Sequence, residues 1–390
     1  MSAVLTGSPP SLRSLTWTVF APMGVYGVGA GAATPMYALR ALDLGASVGS
    51  AALIVAITGL GMVLTDLPAG RIVARIGERG AIAVATVFGT AGVLAAIFAP
   101  NLGVLAAGLL CGGVSGAVWG LARQTYIVAV VAPGDRGRAL STLAGAHRLG
   151  FFVGPFVGAA LVHFYGPVGA LWLSLATSLV SAAAVVAIRD TRTAGEELQP
   201  LHTVLAENRT ALRTLGLAAI TIGAARACRT TVLPLWAAHV GIGASTTSLI
   251  FGIAGAVDVA MSYPAGVWLD RFGSRVTGVP CALLFALGYA ALPLTHTVWS
   301  VGAAALVLGL ANGVSNGLVM TVGANIAPPD RRPEFLGAWR LMHDVGMFAG
   351  PLGAGALGAA LGLAASGLSV AAAAVVGAAA IHRWFPGRVT

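Results

Sequence analysis

Ten ionisable side chains stand inside long apolar stretches of this sequence: Asp66, Arg123, His147, Arg148, Arg226, Arg229, Asp258, Arg340, His343 and Asp344. A charge in hydrocarbon surroundings is costly unless it is paired, so each marks a site for a proton, an ion or a polar cargo. Arginine does not shed its proton, so five arginines against three aspartates leave two cations without a carboxylate; an anionic or zwitterionic small molecule would complete the balance. Aspartate takes up and releases protons, and a neighbouring arginine opposes protonation. A carboxyl whose arginine partner leaves when cargo binds is therefore a workable proton carrier. His147 and His343 titrate near neutral pH unaided, which suits a relay, although a lone histidine in an apolar helix also serves as a hydrogen-bonded packing residue. Arg226 and Arg229, three apart, share a helix face. Arg340 and Asp344, four apart, can pair along one helix, either to hold the bundle or to serve the site.

Other chemistries lack their residues. The chain has no lysine, so it has no phosphate-binding loop of the Walker type. Cys111, Cys228 and Cys281 are scattered through apolar runs and read as small hydrophobes, with no disulfide framework. No His, Cys and carboxylate set has metal-ligand spacing, so no metal and no cofactor is expected. Gly27 and Gly29 follow no strand, which excludes a dinucleotide fingerprint.

The elements that must position these residues are membrane helices. Of 390 residues 57% are apolar and only 9% charged, and the mean hydropathy is +0.88. Such a chain belongs in a bilayer. Apolar segments of spanning length recur at 15–39, 48–70, 80–99, 102–131, 139–163, 167–188, 214–238, 245–268, 277–295, 298–327, 334–357 and 361–382. The first is too long for a signal peptide and reads as a retained span. Sixteen arginines, from Arg13, Arg71, Arg75 and Arg79 to Arg383 and Arg388, lie in the tails or in the connections after even-numbered spans, and on the other side stands only Arg40. That asymmetry predicts an integral protein of the cell membrane with both termini cytoplasmic. It also explains the basic isoelectric point, about 10.5, as a topology and lipid-surface signal rather than nucleic-acid binding. Counted along the helices, Arg226, Arg229 and Asp258 fall roughly 15–22 Å from the basic ends, near the midplane. Spans 7 and 8 form a hairpin, so Asp258 is the natural partner of one of those arginines. Tyr26, Trp119 and the other aromatics are available for cavity walls or interfacial belts.

The chain divides into residues 1–188, a polar stretch 189–213 and residues 214–390, six spans on each side. Within the polar stretch, Leu198 to Leu212 reads as a solvated linker or as a short surface helix. A shift of 196 residues superimposes Pro68-Ala69-Gly70 on Pro264-Ala265-Gly266, Arg75 on Arg271, Gly77 on Gly273 and Arg79 on Arg275. The same shift carries His147 onto His343, Gly150 onto Gly346 and Gly154-Pro155 onto Gly350-Pro351. The halves are therefore duplicated six-helix bundles in parallel orientation.

On these motifs the chain resembles the major facilitator superfamily along essentially its whole length. The loop after span 8, with Gly266, Asp270, Arg271, Gly273 and Arg275, is similar to the family's signature. The copy after span 2 keeps Gly70, Arg75, Gly77 and Arg79 but has Ala74 in the acidic position, and Asp66 is a substitute from inside the span. The resemblance implies that these loops latch the cytoplasmic ends of the bundles. In span 5 Gly150, Gly154, Pro155 and Gly158 resemble the motif of proton-driven drug antiporters, and Gly346, Gly350 and Pro351 repeat it in span 11. The resemblance implies an all-α fold of twelve helices in two pseudo-symmetric bundles and, by alternating access, proton-coupled efflux of a small organic molecule. An importer or uniporter of an anionic metabolite is the alternative, and a non-transporting membrane sensor of the same fold is a third reading. No enzyme activity is expected. The oligomeric state is open.

Overall fold

The computed structural model describes residues 14–131, 136–185, 207–328 and 332–385. The first span is α1 (Ala21–Ala33) and α2 (Met36–Asp43), entered through a π-helical turn at Thr16–Phe20 and broken before Pro35, whose ring leaves no amide to continue the ladder. Helix α3 (Val48–Ile97) carries spans 2 and 3, and α4 (Leu102–Val130), α5 (Arg136–Tyr165) and α6 (Pro167–Val185) complete the first half. In the second half α7 (Arg209–His239) precedes α8 (Ala244–Ala291), which carries spans 8 and 9. Helices α9 (Val298–Ser315) and α10 (Leu318–Ile326) form span 10, followed by α11 (Arg332–Leu361) and α12 (Leu363–Trp384). Ten helical stretches among the described residues are long and apolar enough to cross a membrane, and one of them, Ala244–Leu294 with 51 residues, suffices for two crossings. With the broken first span, all twelve expected spans are accounted for.

Two connections are shorter than the hydropathy pattern suggests. Helix continues through each signature loop to a single glycine, Gly77 at φ 74° and Gly273 at φ 85°, where the chain turns. Only glycine adopts that left-handed geometry without strain. Arg275, two residues on, donates to the Phe385 carbonyl at 2.8 and 3.0 Å and so caps the last helix of its own bundle. At the opposite end Arg40 does the same for span 3, reaching the carbonyls of Ala96, Ile97 and Ala99.

The duplication is visible in the packing. Span 5 lies on span 1 with Gly150 and Gly154 against the carbonyls of Gly24 and Val28, and span 11 lies on span 7 with Gly346 and Gly350 against Ile220 and Ala224. The second pair of contacts repeats the first at the same offset of 196 residues. A Cβ at any of these four glycines would enter neighbouring backbone. Gly158 meets Ala32, whereas Gly353 and Gly266 face open space and make no close helix contact.

The bundles meet along two seams, span 2 with span 11 and span 5 with span 8. Gly49 and Ala52 abut Ala359 and Gly355 in the first. In the second, Ser245 and Ser248 donate to the carbonyls of Ala159 and Pro155, each at 2.9 Å. These contacts lie in the halves of the spans away from the arginine-rich connections. The apolar core follows the same division. One cluster at that end draws on both bundles, including Ala41, Ile54, Leu105, Trp236, Phe251 and Tyr289. At the basic end there are two separate clusters, one around Val73, Ile82 and Ile127 and one around Leu269, Phe335 and Phe385. The structure is joined at one end and divided at the other.

Several expectations concern residues outside the described ones: Arg13, Arg189, Arg192, Arg331 and Arg388 of the topology argument, and most of the 189–213 stretch with its surface-helix alternative.

Candidate functional site

Asp258 is the hub of the C-terminal bundle. Its Oδ2 accepts from Asn312 Nδ2 at 2.5 Å and lies 3.6 Å from Arg229 Nη2, while its Oδ1 accepts from Asn316 Nδ2 at 2.8 Å. The hairpin pairing expected for Asp258 is thus made with Arg229 and not with Arg226. Arg226 donates instead to Ser315 Oγ at 2.7 Å and to Asn316 Oδ1 at 3.1 Å. Asn316 therefore links Arg226 to Asp258 through its two amide atoms, and its Nδ2 also reaches Ser262 Oγ at 2.9 Å. The local backbone explains this reach. Span 10 breaks where Asn316 turns extended, at ψ 123°, and Gly317 is left-handed at φ 84°. The break lets Ser315 and Asn316 turn polar groups toward span 7 and span 8 at membrane depth, where irregular backbone is tolerated only inside protein. Two nitrogens of buried Arg229, Nε and Nη1, have no hydrogen-bond partner among the described residues.

The N-terminal bundle holds a different arrangement. Arg123 is 3% exposed, donates to Ser181 Oγ at 3.0 Å and to Met23 Sδ at 2.7 Å, and stacks on Trp119. Tyr26 packs on Trp119 with ring centroids 4.1 Å apart and is 6.1 Å from His147. Among the described residues Arg123 has no carboxylate partner; the aromatic face and neutral acceptors hold it.

A third group bridges the bundles. Arg340 pairs with Asp344 one turn along span 11 at 3.3 Å and reaches Asp66 of span 2 at 3.9 Å. His343 Nδ1 lies 3.2 Å from Asp344 Oδ1. Asp66 and Asp344, one from each bundle, thus share the guanidinium of Arg340, and Oδ2 of Asp66 has no hydrogen-bond partner among the described residues. This group closes the span 2–span 11 seam on its basic side.

Arg148, next to His147, is exposed and unpaired among the described residues, and lies close enough to Arg226 of the other bundle for their charges to oppose each other. Asp270 and Arg271 of the signature loop are exposed, and among the described residues neither is ion-paired to the other bundle. The structure thus gathers Arg226, Arg229 and Asp258 into one group and Asp66, Arg340, His343 and Asp344 into another, and leaves the loop residues apart from both.

Sequence reasoning passed over Asn312, Ser315, Asn316 and Ser262. Its available signal was the run Asn312-Gly313-Val314-Ser315-Asn316-Gly317, two Asn-Gly turn pairs inside a spanning segment. Tyr26 and Trp119 are interior residues, whereas Trp17, Trp172 and Trp268 are exposed.

With this geometry in hand, comparison with known proteins is informative. A family model described as Major Facilitator Superfamily matches residues 19–215 and again 215–390. No curated protein matches the sequence. Among solved structures the chain is similar to a POT family transporter in complex with 5-aminolevulinic acid, at a TM-score of 0.79 and 12% identity over 96% of each chain. It is similar to the nucleoside transporter NupG at a TM-score of 0.75 and 15% identity, over 95% of this chain and 98% of the other. A bacterial homologue of the human lysosomal transporter Spinster, inward-facing and unoccupied, aligns with a TM-score of 0.70 at 13% identity over 97% and 94% of the two chains.

Proposed function

The chain belongs to the Major Facilitator Superfamily, and on that premise we propose that it is a proton-coupled carrier that exports a small organic molecule by rocking residues 1–188 against 214–390. It is a transporter and not an enzyme. The arginine asymmetry supports placing both termini and the divided end in the cytoplasm, so that the structure is open inward. One observation carries the coupling: the approach of Asp66 to the Arg340–Asp344 pair across the seam between bundles. The number of charges there is uneven, two carboxyls to one guanidinium, so a single proton neutralises the group. Rocking the bundles about this seam changes the distance of Asp66 from its partners and so what that proton is bound to, and this ties protonation to conformation. Export is supported by the Gly150, Gly154 and Pro155 motif of span 5, which packs the seam-forming helix directly on span 1.

Proteoliposomes test the reading. A ligand is first chosen from anionic and cationic organic compounds by thermal shift, and its transport is then followed with and without a pH gradient. Asp66→Asn should reduce gradient-driven transport to the level seen without a gradient, while exchange of labelled for unlabelled ligand persists. Gradient-driven transport at the wild-type rate in Asp66→Asn would remove this residue from coupling, and protons moving in the same direction as cargo would replace export by import.

A further inference from the structure

The seam between spans 5 and 8 has a register that runs past its last contact. Ala159, Pro155, Phe156 and Phe152 of span 5 meet Ser245, Ser248, Gly252 and Gly255 of span 8. One further turn along the same faces reaches Arg148 on span 5 and Asp258 on span 8. There the seam stops, because Arg148 is exposed and unpaired among the described residues. Arg226 of span 7 stands one asparagine away from Asp258, through Asn316, and its charge and that of Arg148 oppose each other. The partners of Arg226 are the neutral Ser315 and Asn316, and the oxygens of Asp258 are already engaged by Arg229, Asn312 and Asn316. Three guanidinium groups, those of Arg148, Arg226 and Arg229, therefore share the single carboxylate of Asp258 at membrane depth, and Arg148 and Arg226, one from each bundle, have no ion pair among the described residues.

We propose that Arg148 and Arg226 together receive an oxyanion, a carboxylate or phosphate group of the transported molecule, which bridges the two bundles and draws the open end together. The proposal rests on the carrier reading and names its cargo class. Empty, the two cations repel and favour separation at this seam. An oxyanion accepts hydrogen bonds from both planar forks at once, so the same pair becomes attractive only when cargo is present. The ligand then binds the closed arrangement more tightly than the open one, which is what a ligand must do to shift a conformational equilibrium. A neutral or cationic cargo leaves the repulsion in place.

The test uses the purified full-length protein in detergent at constant ionic strength, with no gradient. Thermal unfolding is followed against rising benzoate, succinate, inorganic phosphate and, as the cationic arm, tetraphenylphosphonium. At least one oxyanion should raise the midpoint saturably and the cation should not; the carboxylate and phosphate arms identify the group. Arg148→Gln and Arg226→Gln should each weaken half-saturation by about ten- to a hundredfold, the loss of one charge-assisted contact. Arg148→Lys should recover part of it, and Arg383→Gln, at the exposed end of the last helix, should bind as wild type. Because Arg148 is exposed, its substitution leaves the packing intact and decides the matter if the Arg226 variant unfolds. The proposal is overturned if no oxyanion stabilises the protein, or if Arg148→Gln binds it as tightly as wild type. Oxyanion binding without gradient-driven transport would overturn the proton-coupled reading and keep the site, and gradient-driven transport of a cation would do the reverse.

Discussion

Asp258 and Arg229 show how one buried pair depends on neutral neighbours. The guanidinium contacts the carboxylate at 3.6 Å, and the remaining acceptor capacity of Asp258 is taken by two asparagine amides. Removing one partner of a buried pair costs about 3–5 kcal/mol because a charge is left uncompensated. Asp258→Asn should therefore lower stability strongly, and the double variant Arg229→Gln with Asp258→Asn should recover more than half of the loss. Thermal unfolding of the three variants measures the coupling, and additive losses would mean that the pair contributes nothing as a pair. At this scale the sequence was legible in part. The ten ionisable residues within the apolar stretches stood out because charge is rare in the chain, and the Arg340–Asp344 pair follows from helix periodicity. The choice between Arg226 and Arg229 as the partner of Asp258 did not, because it depends on Asn316, and an asparagine carries no signal in a hydropathy scan. The approach of Asp66 to Arg340 was equally hidden, since spans 2 and 11 are distant in sequence and meet only through the assembly of both halves.

Among the elements, glycine separates positions that look alike in sequence. Gly154 and Gly350 sit against backbone of the neighbouring span, whereas Gly353, three residues further on, and Gly266, of the repeated loop motif, face open space. Gly154→Ala and Gly350→Ala should each destabilise by about 1–3 kcal/mol through overpacking. Gly353→Ala and Gly266→Ala should be neutral or slightly stabilising, as alanine is the better helix former. Equal midpoints for all four in thermal unfolding would show that the close approach carries no weight. Gly317 belongs to a third kind: its φ of 84° makes Gly317→Ala strained in any surroundings, by about 1–2 kcal/mol. The helices themselves were readable from apolar length, and the duplication from a constant offset. What hydropathy blurred were the connections, because a turn made by one glycine inside an apolar, helix-forming run leaves no polar segment to find. The break in span 10 was missed for the converse reason, a turn sequence buried inside a stretch whose average remains apolar.

For the whole molecule, the shared core at one end and the divided core at the other make a specific mechanical claim: the seams near Ser245 and Gly49 must open for the other face to be reached. The two seams are related by the duplication, since Ser245, Ser248 and Gly355 fall 196 residues after Gly49, Ala52 and Ala159. They differ in chemistry, with hydroxyl-to-carbonyl bonds in one and bare contact of small residues in the other. The bare seam is the one to lock. A Cβ at Gly355 would lie 3.0 Å from that of Ala52, short of the roughly 3.5–4.5 Å of a disulfide but reachable by a slight shift of two helices in contact. Ala52→Cys with Gly355→Cys should therefore cross-link on mild oxidation. Cys228 and Cys281 are buried and do not compete. Locked, the protein should still bind ligand in detergent, because the opening at the basic end is untouched, but it should lose transport in proteoliposomes, and dithiothreitol should restore it. Transport that survives complete cross-linking would show that this end need not open, and alternating access between the two bundles would fall with it. Loss of binding together with transport would instead place the ligand site on the locked side of the membrane, away from Arg148 and Arg226.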